Sequence, residues 1–161
     1  MAVARTSRTT PHSGLVLDDI SKQIIEQLQE DGRRSYAAIG KAVGLSEAAV
    51  RQRVQRLTES GVMQIVAVTD PLTLGFRRQA MIGLKCDGDL KQVAGRLSAM
   101  NEIEYVVITG GSFDLLVEAV CEDDDHLLEI LSQVRRVPSV TSTEAFVYLK
   151  LCKQTYSWGT R

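Results

Sequence analysis

The hydrophobic pattern of this chain changes rhythm once. From Leu17 to Gly61 apolar residues recur every three or four positions, and from Arg78 onward strand-like runs take turns with helical spacing. The first stretch predicts three helices. Asp18 or Asp19 caps the first, whose stripe is Ile20, Ile24, Ile25 and Leu28, and Gly32 ends it. Ser35 caps the second, "YAAIGKAVG", with Ala38, Ile39, Ala42 and Val43 as its apolar positions. Gly44 stops that helix where a left-handed backbone is needed, Leu45 fills the gap, and Ser46 caps the third. Val50, Val54 and Leu57 share one stripe of the third helix, and Gly61 closes it. The second and third helices are thus joined by a very tight turn, with small Ala38 and Ala42 suited to a close crossing.

Three helices with that turn are the sequence form of a helix-turn-helix. "VMQIVAVTD" then alternates weakly and reads as a wing or a linker strand, broken by Pro71. Beyond it the pattern predicts strand 78–86, helix 89–100, strand 103–109, strand 114–121, a helix from the "DDDH" run to Pro138, and a long strand 140–152. The order βαββαβ is the ferredoxin-like split βαβ unit. The fold class is therefore α+β: an N-terminal three-helix, winged-helix-like unit joined by a strand linker to a ferredoxin-like domain. The segments are a disordered tail at 1–16, the helix-turn-helix at 17–61, a linker strand and hinge at 62–76, the βαββαβ domain at 77–152 and a tail at 153–161.

Composition narrows the function. Of 161 residues 44% are hydrophobic and 24% charged, as in an ordinary soluble protein. No apolar run approaches the roughly 20 residues that span a bilayer, and "MAVARTSRTTPHSG" has no secretory apolar region. Cys86, Cys121 and Cys152 are odd in number and far apart, so they read as small buried hydrophobes of a cytoplasmic protein. His126 lacks a second His or Cys at ligand spacing, and Asp123, Asp124 and Asp125 read as a solvated helix start. Neither a metal site nor a cofactor nor a catalytic set is indicated, and an enzyme is not the expectation.

Charge adds a positive hint. The net charge is −1, yet residues 33–56 hold six basic side chains (Arg33, Arg34, Lys41, Arg51, Arg53 and Arg56) and one acid, Glu47. Such a cluster on a near-neutral chain points to a local anionic partner. With Val50, Val54 and Leu57 turned to the core, the opposite face of the third helix presents Glu47, Ala48, Arg51, Gln52 and Gln55. Ala48 and Ala49 let the backbone approach a major groove, and Arg and Gln are matched to guanine and adenine edges. Arg33 and Arg34 stand where phosphates would lie, and Ser35, Ser46, Arg53 and Arg56 complete the candidate surface for double-stranded DNA. Arg53 borders the apolar stripe and is also a candidate structural arginine. In the tail, Arg5 and Arg8 are candidates for a minor-groove arm.

The turn "TGGSFD" has a second candidate chemistry. Gly110 and Gly111 allow backbone N–H groups to approach a carboxylate, and Asp114 can pair with an ammonium group. The same residues also suit a plain hairpin turn with Asp114 as its cap, and the pattern leaves both readings open.

"LDDISKQIIEQLQEDGRRSYAAIGKAVGLSEAAVRQRVQRLTESGVMQ", followed by the βαββαβ half with "GGSFDLLV", resembles the Lrp/AsnC, or feast/famine, family of transcription regulators over residues 17–152. The resemblance implies sequence-specific DNA binding and a homodimer that goes on to a tetramer or octamer. It also implies an amino-acid effector held between subunits near Gly110, Gly111, Ser112, Phe113 and Asp114, with Thr141, Ser142 and Thr143 as companions. The competing reading is a stand-alone sensor or assembly protein whose helix-turn-helix contacts protein.

Overall fold

The computed structural model describes residues 17–161, so the readings for residues 1–16, Arg5 and Arg8 included, lie outside it. The chain forms two compact units. One contains the residues up to Ala67 together with Lys153–Arg161, and the other is Val68–Cys152.

In the first unit α1 spans Asp19–Glu30, α2 Tyr36–Val43 and α3 Glu47–Glu59. Each begins at a side-chain cap that satisfies an otherwise orphaned amide. The Asp18 carboxylate accepts from Ser21 N at 2.8 Å, and the Ser35 and Ser46 hydroxyls accept from Ala38 N and Ala49 N, each at 3.2 Å. Gly44 ends α2 with φ of 75°, the left-handed residue that the turn demands. Ile24, Leu28, Ile39, Val50 and Val54 form the core. The close crossing differs from expectation, because Ala38 and Ala42 are exposed and Gly40 is the buried contact. A Cβ on Gly40 would lie 2.5 Å from the Leu45 carbonyl oxygen. The C-terminal segment joins this unit: Gly159 N donates to Gln29 Oε1 at 3.1 Å and the Thr160 hydroxyl donates to Glu26.

The expected linker strand is not a strand in the single chain. Residues 64–70 have no regular structure, and Ile65, Val66 and Val68 are exposed. A ladder needs a neighbour, and among the described residues no strand pairs with the segment. One turn stabilised by Asp70 follows, with its carboxylate accepting from Leu72 N and the Thr73 hydroxyl.

The second unit is a four-stranded antiparallel sheet of order β2-β3-β1-β4, where β1 is Arg78–Cys86, β2 Ile103–Ile108, β3 Leu115–Cys121 and β4 Val140–Val147. Two helices, α4 (Leu90–Ser98) and α5 (Asp124–Arg135), cover one face. Alternation decides what they bury: Ala80, Ile82 and Leu84 of β1 and Leu115, Val117 and Ala119 of β3 pack against Val93, Leu97, Leu127, Ile130 and Val134.

Two expectations are corrected here. First, β4 stops at Val147 rather than running to Cys152. Val147 registers with Ala80 and Tyr148 N donates to Gln79 O, after which β1, its only neighbour, runs out. In the single chain it is an edge strand: Phe146 and Tyr148 are exposed and Leu149 is 96% exposed. Second, Cys121 is buried but Cys152 is exposed, because the strand expected to bury it ends first. Burial pushes the Cys121 thiol up to about 11. The acidic helix start is solvated, as its sequence implies, with Asp123, Asp124 and Asp125 all exposed at the beginning of α5. Asp123 caps α5 by accepting from His126 N at 2.8 Å, and Asp124 accepts two hydrogen bonds from Arg78 of β1.

Candidate nucleic-acid interface and effector turn

The exposed face of α3 is the one its sequence implies. Glu47, Ala48, Arg51, Gln52, Gln55 and Arg56 are exposed, while Val50, Val54 and Leu57 are buried. Ala49 is half-buried beneath that face. Arg51 Nη2 donates to Glu47 Oε1 at 2.8 Å, and its guanidinium carbon stands 5.2 Å from the centre of the Tyr36 ring. Gln55 donates to Glu59 at 2.7 Å. The cap hydroxyls of Ser35 and Ser46 accept from amides, and each retains its own proton as a donor.

The basic residues divide into two groups. Arg33, Arg51 and Arg56 are exposed and reachable. Arg34 is held against α1 by Gln27 and by Glu30, the latter at 3.0 Å. Arg53 reaches across to α1, where its Nη1 donates to both Asp18 oxygens at 2.9 and 2.6 Å and to the Ser21 hydroxyl at 3.1 Å. Its guanidinium thus ties α3 to the start of α1 and stands apart from Arg51. The Ser21 hydrogen bonds and the Arg53 guanidinium hold the Asp18 carboxyl down at about 2. Position along the helix marked Arg53 as a borderline case. The partner, 35 residues away, left no signal in spacing. Tyr36 was missed as well, because nothing in an aromatic at the start of α2 indicates what its ring will face.

The turn of the second unit is a tighter construction than its glycines suggest. Asp114 N donates to Leu84 O at 2.8 Å, and its Oδ2 accepts from Cys86 N at 2.9 Å, so this carboxylate stitches β3 to the end of β1. One oxygen is therefore already engaged, which narrows its use as an ammonium partner. Thr109 closes the turn, its N donating to Asp114 O at 2.9 Å and its hydroxyl to Phe113 O. The Phe113 ring lies on Gly83, where a Cβ would come within 2.6 Å of it, and meets Phe146 edge-on at 6.0 Å. Gly110, Gly111 and Ser112 are exposed, and a Cβ on either glycine would meet open space.

Thr141, Ser142 and Thr143 lie on the other side of β1. With Val140 and Arg135 they line a recess of about 280 Å³. Arg135 Nε donates to the Thr143 hydroxyl at 3.0 Å, and the Thr141 hydroxyl donates to Lys85 O at 3.1 Å. Thr143 and Leu115 both register with Leu84, so the turn and the recess flank the same end of the sheet. On the face without helices Gln79, Met81, Leu116, Glu118 and Val120 are half-buried beside Phe113, Phe146 and Tyr148. Burial, and then Glu118, push the Tyr148 hydroxyl up to about 12.

A capped helix-turn-helix with an exposed Arg/Gln face, followed by an antiparallel α+β sheet with one apolar face uncovered, defines a transcription regulator with an association domain. Comparisons with known proteins give the same class. Residues 17–58 match the AsnC-type helix-turn-helix domain, and residues 76–161 match a C-terminal dimeric alpha+beta barrel domain of AsnC-type regulators. The chain belongs to the Lrp/AsnC family of transcriptional regulators, and is a DNA-binding regulator rather than an enzyme. It is 37% identical over 142 residues to the transcriptional regulator FL11 of Pyrococcus furiosus, covering 87% of this chain and 94% of that one. Among solved structures it is similar to the leucine response regulatory protein of Mycobacterium tuberculosis, with a TM-score of 0.79 and 25% identity over 86% of this chain and 96% of the other. AsnC of E. coli has the same fold, with a TM-score of 0.74 and 21% identity over 88% and 97% of the two chains. Among the described residues no helix is long and apolar enough to cross a membrane.

Proposed function

We propose that this chain is a sequence-specific regulator that reads DNA through the exposed face of α3. A small effector, an amino acid bound where subunits meet, then alters its assembly and its DNA binding. The observation that carries the DNA half is the exposed face itself. Arg51 and Gln52 project from the first two turns of a helix whose preceding turn, Leu45–Ser46, packs closely on Gly40 of α2.

The effector half is supported by the turn. The amides of Gly110, Gly111 and Ser112 donate to no protein acceptor among the described residues, and exposed amides in series suit a carboxylate. Hydroxyls from Thr141 and Ser142 stand at the same end of the sheet. A regulator from Neisseria meningitidis with a similar fold, TM-score 0.75 and 23% identity, was solved as an L-Met complex. Self-association of the sheet face would bring such groups from two copies together. An effector acts by differential affinity for the two assemblies and shifts their balance by no more than that.

The test adds the proteinogenic amino acids singly and follows both the sedimentation coefficient and DNA affinity. At least one should shift both. Gly111→Val meets no neighbour, so it should leave the fold and basal DNA binding intact while blunting that response. If no amino acid changes either quantity, the effector reading fails and the DNA reading stands.

A further inference from the structure

We infer that Tyr36 is a specificity-determining positioning residue, whose ring and the Glu47 carboxylate together fix the Arg51 guanidinium for a base edge. The inference rests on α3 being the reading helix and adds to it a residue from a different helix.

Arg51 is gripped from two sides yet left open at its outer end. Its guanidinium carbon is 5.2 Å from the Tyr36 ring centre, Nη2 is 2.8 Å from Glu47 Oε1, and the side chain remains 63% exposed. The Tyr36 ring is itself held, half-buried against the helix-turn-helix core with Val43 and Leu45. A fixed ring is a platform rather than another moving part. Against an aromatic face a guanidinium keeps in-plane N–H donors available, and these are the donors that engage guanine O6 and N7.

The other arginines of the cluster lack this arrangement. Arg53 is fixed by Asp18 and Ser21, and Arg34 by Gln27 and Glu30, both against α1. Arg33 and Arg56 are exposed, and no aromatic ring stands beside either among the described residues. Only Arg51 is both held and presented there. Holding matters because a long side chain ordered before binding loses less freedom on binding. The Glu47 partner has a second effect. An arginine already paired with a carboxylate adds little to counterion release, so Arg51 serves selection more than general attraction.

The experiment uses the full chain and two probes: a duplex enriched from a random-sequence pool by the wild-type chain, and the same duplex scrambled. Affinities for both are measured by fluorescence anisotropy across a salt series, with thermal melts as a check on folding. Tyr36→Phe keeps the ring and should keep the wild-type ratio of affinities. Tyr36→Leu keeps an apolar side chain without the ring, and should lower that ratio about two- to five-fold, the size of an exposed cation–π contact. Its salt slope on the scrambled duplex should not change. Tyr36→Met serves the same purpose should the leucine variant melt early. In an Arg51→Ala background, removing the ring should change the ratio no further. An equal loss in that background, an equal loss on both duplexes, or an unchanged ratio would overturn the positioning role. The underlying reading is tested separately, since it fails if Arg51→Ala alone leaves the ratio unchanged.

Discussion

Arg51 and Arg53 stand two positions apart on one helix and do different work. Arg51 faces outward between a ring and a carboxylate, whereas Arg53 turns inward to Asp18 and Ser21. The inward pair has a pH signature. With its folded pKa near 2 against an ordinary 3.8, Asp18 binds its proton more weakly in the folded chain than in the unfolded one. Its contribution is therefore complete above the ordinary value and is lost as pH falls from about 4 to about 2. Asp18→Asn should flatten this part of the acid-unfolding profile, measured as urea midpoints from pH 5 down to pH 2. Parallel profiles for the two chains would show that Asp18 contributes nothing there. At this scale sequence was an uneven guide. The caps Asp18, Ser35 and Ser46 are legible because a cap is defined by residues three positions apart. The Arg53–Asp18 pair and the Tyr36 platform are not, because each joins residues brought together only by helix packing.

The elements follow their periodicity, and where they depart from it the cause is a missing neighbour or a close approach. β1 is found over the predicted 78–86, since both its edges are paired and Ala80, Ile82 and Leu84 are buried on the helix-covered face. The 64–70 segment and the far end of β4 alternate as strands do, yet neither has a partner strand among the described residues. Alternation reports what a segment is suited to, and pairing depends on what lies beside it. The helix-turn-helix crossing offers a sharper case. Two alanines looked suited to it, but Gly40 occupies it, because only there does the Leu45 carbonyl leave no room for a Cβ. Gly40→Ala should therefore destabilise the first unit by about 1–3 kcal/mol. Gly95→Ala, inside α4 with nothing near its Cβ, should stabilise the second unit by roughly 0.5–1 kcal/mol. Chemical denaturation of the two variants checks both signs, and a neutral Gly40→Ala would show that the turn can yield.

In the whole molecule, a helix-turn-helix unit and an α+β unit share one chain. The apolar sheet face of Phe113, Phe146 and Tyr148 matches a domain whose family model is dimeric. A two-fold dimer carries two copies of α3. Domain order and fold class were legible in the chain, because a change from helical to mixed periodicity is a property of long segments. The Gly110–Asp114 turn was legible only as a choice between a ligand site and a hairpin, and Asp114 bonded to Cys86 N shows that it has a structural duty in either case. The most direct measurement is selection of duplexes from a random pool, run in parallel with the wild-type chain and Arg51→Ala and followed by sequencing. The wild type should enrich paired half-sites about 34 Å apart or a multiple of that spacing, and Arg51→Ala should lose preference at one base in each half-site, at a cost of about 1–3 kcal/mol. An unenriched pool, or a variant that binds every duplex equally less well, would contradict base reading by α3.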